Sequence, residues 1–233
     1  MRPVISFTQV HYPESDGKPM GETDQHRDQM VRHIDLLRHF YQGQRVYVSG
    51  NLLVYYEQGN SRKFVVPDTF VVKGIAARQR RIYKIWMEGK PPEVVIETTS
   101  RKTRRKDTQD KPPLYARLGV KEYFLYDPLQ EYLEPPLQGY RLTDQGYVPM
   151  VPDESGSLVS EQLELQMRIE EELLQFYRRE TGDRLLTADE RAARDAEARQ
   201  REAAARQREA EARQAAEAEV LRLREELARR SLA

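Results

Sequence analysis

The 233-residue chain has no cysteine, one tryptophan and no apolar run long enough to cross a bilayer. Without cysteine there are no disulfides, thiolate zinc sites or thiol nucleophiles, a composition that suits a reducing cytoplasm. The start, Met1-Arg2-Pro3-Val4-Ile5-Ser6, lacks an apolar core of signal-peptide length. A soluble, cytoplasmic protein with no membrane partner is expected. Net charge is missing too: 38 Lys and Arg balance 38 Asp and Glu. No global field draws the chain to a polyanion, so any such binding is local. The apolar fraction of 39% is below the usual globular range. The shortfall lies from Thr187 onward, where Ala, Arg, Glu and Gln dominate and Gly and Pro are absent.

Three regions follow: an irregular arm over 1–21, punctuated by Pro3, Pro13, Gly17 and Pro19; a globular domain over 22–186; and a charged helical tail over 187–233. Glu/Arg pairs at helical spacing support the tail as a solvated helix. Ala196, Ala203 and Ala210 fall at heptad spacing, with Val220, Leu223 and Leu227 as larger apolar residues near the end. This weak seam offers a single long helix or a loose coiled coil, the latter a route to a homodimer.

Within the domain, Thr23 reads as the N-cap of a helix whose stripe is Met30, Ile34, Leu37 and Tyr41 and whose stop is Gly43. Val46 to Tyr56 alternates as one or two strands broken near Gly50-Asn51, and Phe64 to Val72 reads as a further strand. Gly74 to Pro92 is an insertion rich in Arg78, Arg80, Arg81, Tyr83, Lys84 and Trp86. It reads as a substrate-facing flap or as an amphipathic helix packing Ile82, Ile85 and Trp86. Glu93 to Ser100 is a strand, Leu114 to Gly119 a glycine-closed helix end, and Glu122 to Pro128 a strand stopped by proline. Segments around Tyr132, Tyr140 and Tyr147 suggest an antiparallel extension turning at Asp144-Gln145-Gly146. Leu163, Leu165 and Met167 alternate as another strand, with Leu173 to Tyr177 returning beside it.

The chemistry concentrates in two acids. Asp68 interrupts the run Phe64-Val65-Val66-Pro67-Asp68-Thr69-Phe70-Val71-Val72, and Glu97 lies near the end of Glu93-Val94-Val95-Ile96-Glu97-Thr98-Thr99-Ser100. Either acid alone reads as a solvated strand end or a helix cap. A carboxylate inside a β-branched segment is costly to bury unless hydrogen-bonded or bound to a cation, so the pair suggests a shared metal, for which magnesium suits oxygen ligands. The run Arg101-Lys102-Thr103-Arg104-Arg105-Lys106 follows, and a cationic segment beside such a pair suits a phosphate substrate. Glu22 and His26 precede the first helix's stripe on the same face, from which a helix packed on a sheet could direct them to the acids as accessory groups.

The order helix, strands, Asp, Glu, helix, strand is that of a restriction-endonuclease-like core. Glu22-Thr23-Asp24-Gln25-His26, Pro67-Asp68, Pro92 to Ser100, Leu114 to Tyr123, Phe124 to Pro128, Pro135 to Tyr140 and Thr181 to Leu186 together resemble the Uma-type restriction endonucleases of the PD-(D/E)xK nuclease superfamily. The resemblance implies an α/β fold: a mixed central sheet flanked by helices, an antiparallel β extension and, outside the match, the long C-terminal helix. It implies a DNA endonuclease using Mg2+ or Mn2+, with Asp68, Glu97 and the backbone carbonyl of Thr98 as metal ligands. The superfamily's lysine two residues after the glutamate is replaced by Thr99, and the position in the following helix that matches is Lys111. Pro112 and Pro113 come next, which predicts Lys111 at a break or a helix start, with Lys102 and Lys106 as substitutes. Three functions are open: a nuclease, which needs Asp68 and Glu97 to converge on a cation; a catalytically inactive nucleic-acid-binding module, which needs only the basic surfaces at Arg78 to Lys84 and at Arg101, Lys102, Arg104, Arg105 and Lys106; and an assembly protein, which needs the tail helix to associate.

Overall fold

The computed structural model describes residues 10–15, 17 and 23–230. Helix α1, Asp24–Phe40, begins where expected: the Thr23 hydroxyl accepts the His26 amide at 3.3 Å, and Gly43 takes the left-handed conformation beyond its end. Strands β1 (Val46–Ser49) and β2 (Val54–Tyr55) flank the Gly50-Asn51 break. The run from Phe64 to Val72 is not one strand. It divides into β3, Phe64–Val65, and β4, Thr69–Lys73, because Pro67 has no amide to give a ladder. Its carbonyl instead accepts from Asn51 N–H at 2.8 Å, and Asp68 therefore sits immediately ahead of β4.

The insertion forms no long amphipathic helix. It holds β5 (Tyr83–Lys84) and one helical turn, α2 (Ile85–Glu88), before β6, Val94–Thr98. The Arg80 side chain, 4% exposed, is held there by a bidentate Glu88 and lies over the Tyr47 ring at 4.1 Å. A π-helical turn, Lys106–Asp110, leads into α3, Lys111–Leu118, which Gly119 closes in the left-handed conformation. Then come β7 (Glu122–Tyr126), β8 (Leu137–Thr143) and β9 (Gly146–Pro149). The β8–β9 turn is the one expected, but Tyr132 lies in a loop. The last strands of this unit are β10 (Leu158–Ser160), β11 (Leu165–Glu170) and β12 (Leu173–Arg178).

The central sheet is mixed, with strand order β1-β4-β6-β7-β8-β9; only β6 and β7 run parallel, joined by the crossover through α3. Two small sheets accompany it, β10-β11-β12 and β3-β2-β5. Alternation along the central strands divides the core into two layers. Val48, Val71, Ile96 and Phe124 face α1 and the β10–β12 sheet, where Leu37, Met167 and Phe176 complete one cluster. Phe70, Val72, Val95 and Tyr123 face the opposite way and pack with Tyr115 of α3 and Tyr83 of β5.

The chain divides into two compact units between Leu185 and Leu186. The second holds α4, Ala188–Arg230. Thr187 and Glu190 form a reciprocal capping box, Thr187 N–H donating to Glu190 Oε2 at 2.7 Å and Glu190 N–H to Thr187 Oγ1 at 3.3 Å. Exposed pairs such as Arg206–Glu202 and Arg213–Glu217 stitch its surface one turn apart. Among the described residues no helix is long and apolar enough to cross a membrane.

Candidate active site

The antiparallel register of β4 and β6 pairs Thr69 with Ile96, so the residue ahead of β4 falls beside Glu97. Asp68 N–H donates to Glu97 Oε2 at 3.1 Å, and Thr98 N–H donates to Asp68 Oδ2 at 2.8 Å. Glu97 shares its sheet face with Val95, the face covered by α3. This close weave requires a glycine at position 50: a Cβ there would stand 1.8 Å from the Asp68 carbonyl oxygen.

Lys111 completes the group. Its Nζ lies 2.9 Å from Glu97 Oε2 and 2.8 Å from Asp107 Oδ1. It stands at a helix start, as its two prolines suggest, yet in ordinary helical geometry, φ −73° and ψ −42°. The preceding turn explains how. Neither proline can donate, and each ring crowds the carbonyl four residues back. The π turn widens the helix there, and the Lys111 amide reaches back five residues to the Lys106 carbonyl. Lys102 and Lys106 are exposed and make no ion pair with Asp68 or Glu97.

Electrostatically, two buried carboxylates, Glu97 and Asp107, and the partly buried Asp68 surround one ammonium. Burial opposes ionisation of Asp68, but the hydrogen bond from His26 Nε2 at 3.0 Å, with the Lys111 charge, holds its carboxyl below the usual range. Glu97 is fully buried. Burial pushes it up, Lys111 pulls it back, and the charges of Asp68 and Asp107 push it up again, leaving it at about 8. Burial likewise raises Asp107 despite Lys111. Burial would lower Lys111, but Glu97 and Asp107 outweigh it and keep the ammonium protonated.

Of the accessory pair, His26 is buried and reaches Asp68, while Glu22 lies outside the described residues. Two groups at the site were not anticipated. Tyr115 donates its hydroxyl to Glu97 Oε1 at 2.7 Å, and Asp107 grips Lys111. With Lys111 they fall at i, i+4 and i+8, a spacing written in the sequence but hidden by the cationic run and the prolines. Arg101, Lys102, Arg104, Arg105 and Lys106 are all exposed on the segment leaving β6. Arg101, Arg104, Arg105 and Lys106 make no ion pair among the described residues.

The residues suit a hard divalent cation. Among the described residues Asp68 Oδ2 takes both hydrogen bonds made to that carboxylate and Oδ1 takes none, and the acids outnumber the ammonium. Among the described residues no three His, Asp or Glu side chains form a ready metal cage. Magnesium does not need one: it is usually held by one or two carboxylates, with water and substrate phosphate filling its shell. A separate cleft of about 550 Å³ beside β1, lined by Arg38, Tyr47, Arg78 and Arg80, contains none of the three converging side chains. Arg38 is committed there to the Val48 carbonyl, and Arg78 and Arg80 to Glu88.

A mixed sheet that brings an acid just ahead of one strand beside an acid of the next, with a lysine from the crossover helix, is the frame of a restriction-endonuclease-like protein. The family model Uma2, described as "Putative restriction endonuclease", matches residues 8–175, and the chain belongs to that family. Among solved structures, a protein from Anabaena variabilis described as a putative nuclease belonging to DUF820 is similar at 15% identity and a TM-score of 0.45. The match covers 67% of this chain and 88% of that one. No curated protein matches the chain.

Proposed function

We propose that this protein is a metal-dependent endonuclease that hydrolyses phosphodiester bonds of DNA, with Asp68 and Glu97 as ligands of Mg2+ or Mn2+ and Lys111 as the third catalytic group. The observation that carries this reading is the approach of Lys111 Nζ to Glu97 beside the Asp68–Thr98 hydrogen bond. Membership of a family of restriction-endonuclease type supports it. The Thr98 carbonyl would supply a third oxygen ligand. Held there, a divalent cation supplies Lewis acidity at the phosphate and offsets charge on the leaving oxygen. Lys111 donates hydrogen bonds to the attacking water and to the oxygens on which charge develops. His26 fixes the orientation of Asp68, and Tyr115 that of Glu97. The cations from Arg101 to Lys106 hold the DNA backbone beside the acids.

The test is cleavage of supercoiled and single-stranded DNA with magnesium, manganese or chelator, run beside Asp68→Asn. Chelator-sensitive cutting by the wild type and at least about a hundredfold loss in the variant are expected. Undiminished cutting by Asp68→Asn would remove Asp68 from the site. Binding of DNA without cutting would favour the inactive binding module, for which the exposed cations of 101–106 are sufficient.

A further inference from the structure

Lys111 faces a conflict that the nuclease reading leaves open. The oxygen its ammonium touches, Glu97 Oε2, belongs to the carboxylate assigned to the metal. A lysine held by Glu97 alone would lose its partner whenever that oxygen turned to a cation, and a long flexible ammonium so released would move into solvent. Asp107 supplies a second anchor that does not belong to the acid pair. Its carboxylate is fully buried, and Lys111 is its one ion-pair partner among the described residues. Its backbone is fixed independently: the Tyr123 hydroxyl donates to the Asp107 carbonyl at 2.7 Å, and the Asp107 amide donates to the Thr103 carbonyl at 2.9 Å. The π turn holds this carboxylate four residues ahead of the lysine, within 2.8 Å of its ammonium.

We infer that Asp107 is a positioning residue that retains Lys111 at the acid pair when Glu97 is engaged elsewhere, so that lysine and cation act together. The inference deepens the proposed function and rests on that reading for its catalytic meaning, but the retention itself can be measured without metal or DNA. Glu97→Gln removes the charge of Glu97 as an anchor and leaves Asp107 as the remaining charged partner.

The full chain is labelled, metal-free, with an amine-acylating reagent, and modification of Lys111 is followed by peptide mass spectrometry in wild type, Asp107→Asn, Glu97→Gln and the double variant. Slow labelling is expected in the first three, and labelling about tenfold faster or more in the double variant, the effect of losing both direct ion-pair partners. Equal exposure in Glu97→Gln and the double variant would overturn the inference, as would continued protection in the double variant. If the amide unfolds the chain, by loss of the cooperative thermal transition, Asp107→Ser in the same backgrounds replaces it. In the cleavage assay Asp107→Asn should lower kcat about tenfold or more with KM little changed. A wild type that does not cut DNA would defeat the nuclease reading, while the labelling would still decide whether Asp107 holds the lysine.

Discussion

Two glutamates on neighbouring parallel strands, Glu97 on β6 and Glu122 on β7, are both buried, with 0% and 1% of their surface exposed, yet they are satisfied by different means. Glu122 points to the α1 side of the sheet. Its oxygens accept from the Ser160 hydroxyl, from Glu161 N–H at 2.9 Å and from Gln162 N–H at 3.3 Å. These donors are short or part of the backbone, and they pin the β10 end to the central sheet; the one long-chain cation near Glu122, Arg141, stands off with its Nε 3.9 Å from Oε1. Glu97 points to the α3 side, accepts from a phenol and one backbone amide, and is ion-paired with the end of a lysine chain. Two of its three partners sit on long side chains of a separate helix. A carboxylate met by fixed dipoles is a fastener, whereas one met by a movable ammonium can accept a different cation.

The comparison can be broken experimentally, most severely at Lys111. Lys111→Met removes the ammonium that bridges two buried acids and should cost about 3–5 kcal/mol, read as a lowered urea midpoint. A cost below that of Glu122→Gln would mean that the ammonium is not the main support of its site. Next is pH. Glu97 ionises near 8 in the folded protein against an ordinary 4.5, so the folded state keeps a proton that the unfolded chain releases. Its contribution to stability is complete below about pH 4.5 and is lost as pH rises to about 8. Metal-free wild type should therefore lose stability across that window, and Glu97→Gln should flatten the decline; an unchanged slope in the variant would assign it to other groups.

Glu122→Gln turns an acceptor toward two backbone donors and should cost about 1–3 kcal/mol while leaving Mn2+ affinity at its wild-type value. A change in that affinity would mean that the two carboxylates are coupled through the sheet. The smallest effect is expected from ending the chain after Leu186. The remaining unit should keep a cooperative thermal transition and lie within about 0.5 kcal/mol of the full chain, since α4 forms a unit of its own.

The acids and the lysine were legible because each stands out chemically from its surroundings: a carboxylate amid β-branched residues, and a lysine at the family's helical position. The strand boundaries were less so. Pro67 reads as a minor interruption in the sequence, but in the structure it ends one strand and leaves Asp68 outside the next. Tandem proline predicts a break or a helix start at Lys111 by a steric rule that applies to an α-helix. A helix already widened to a π turn meets that rule differently, and composition does not signal such a turn. Asp107 was overlooked because it stands among five neighbouring cations, where an acid looks like simple charge balance.

Gly50 illustrates a separate lesson about mutational tolerance. Any side chain there would overlap the peptide that carries Asp68, so a saturation scan scored on activity should rank this hydrogen-only position with the charged residues of the centre. A map of intolerance would thus mark a residue that exchanges no proton and touches no phosphate. The scan needs a parallel score for protein abundance, in which Gly50 variants should disappear while Asp68→Asn remains.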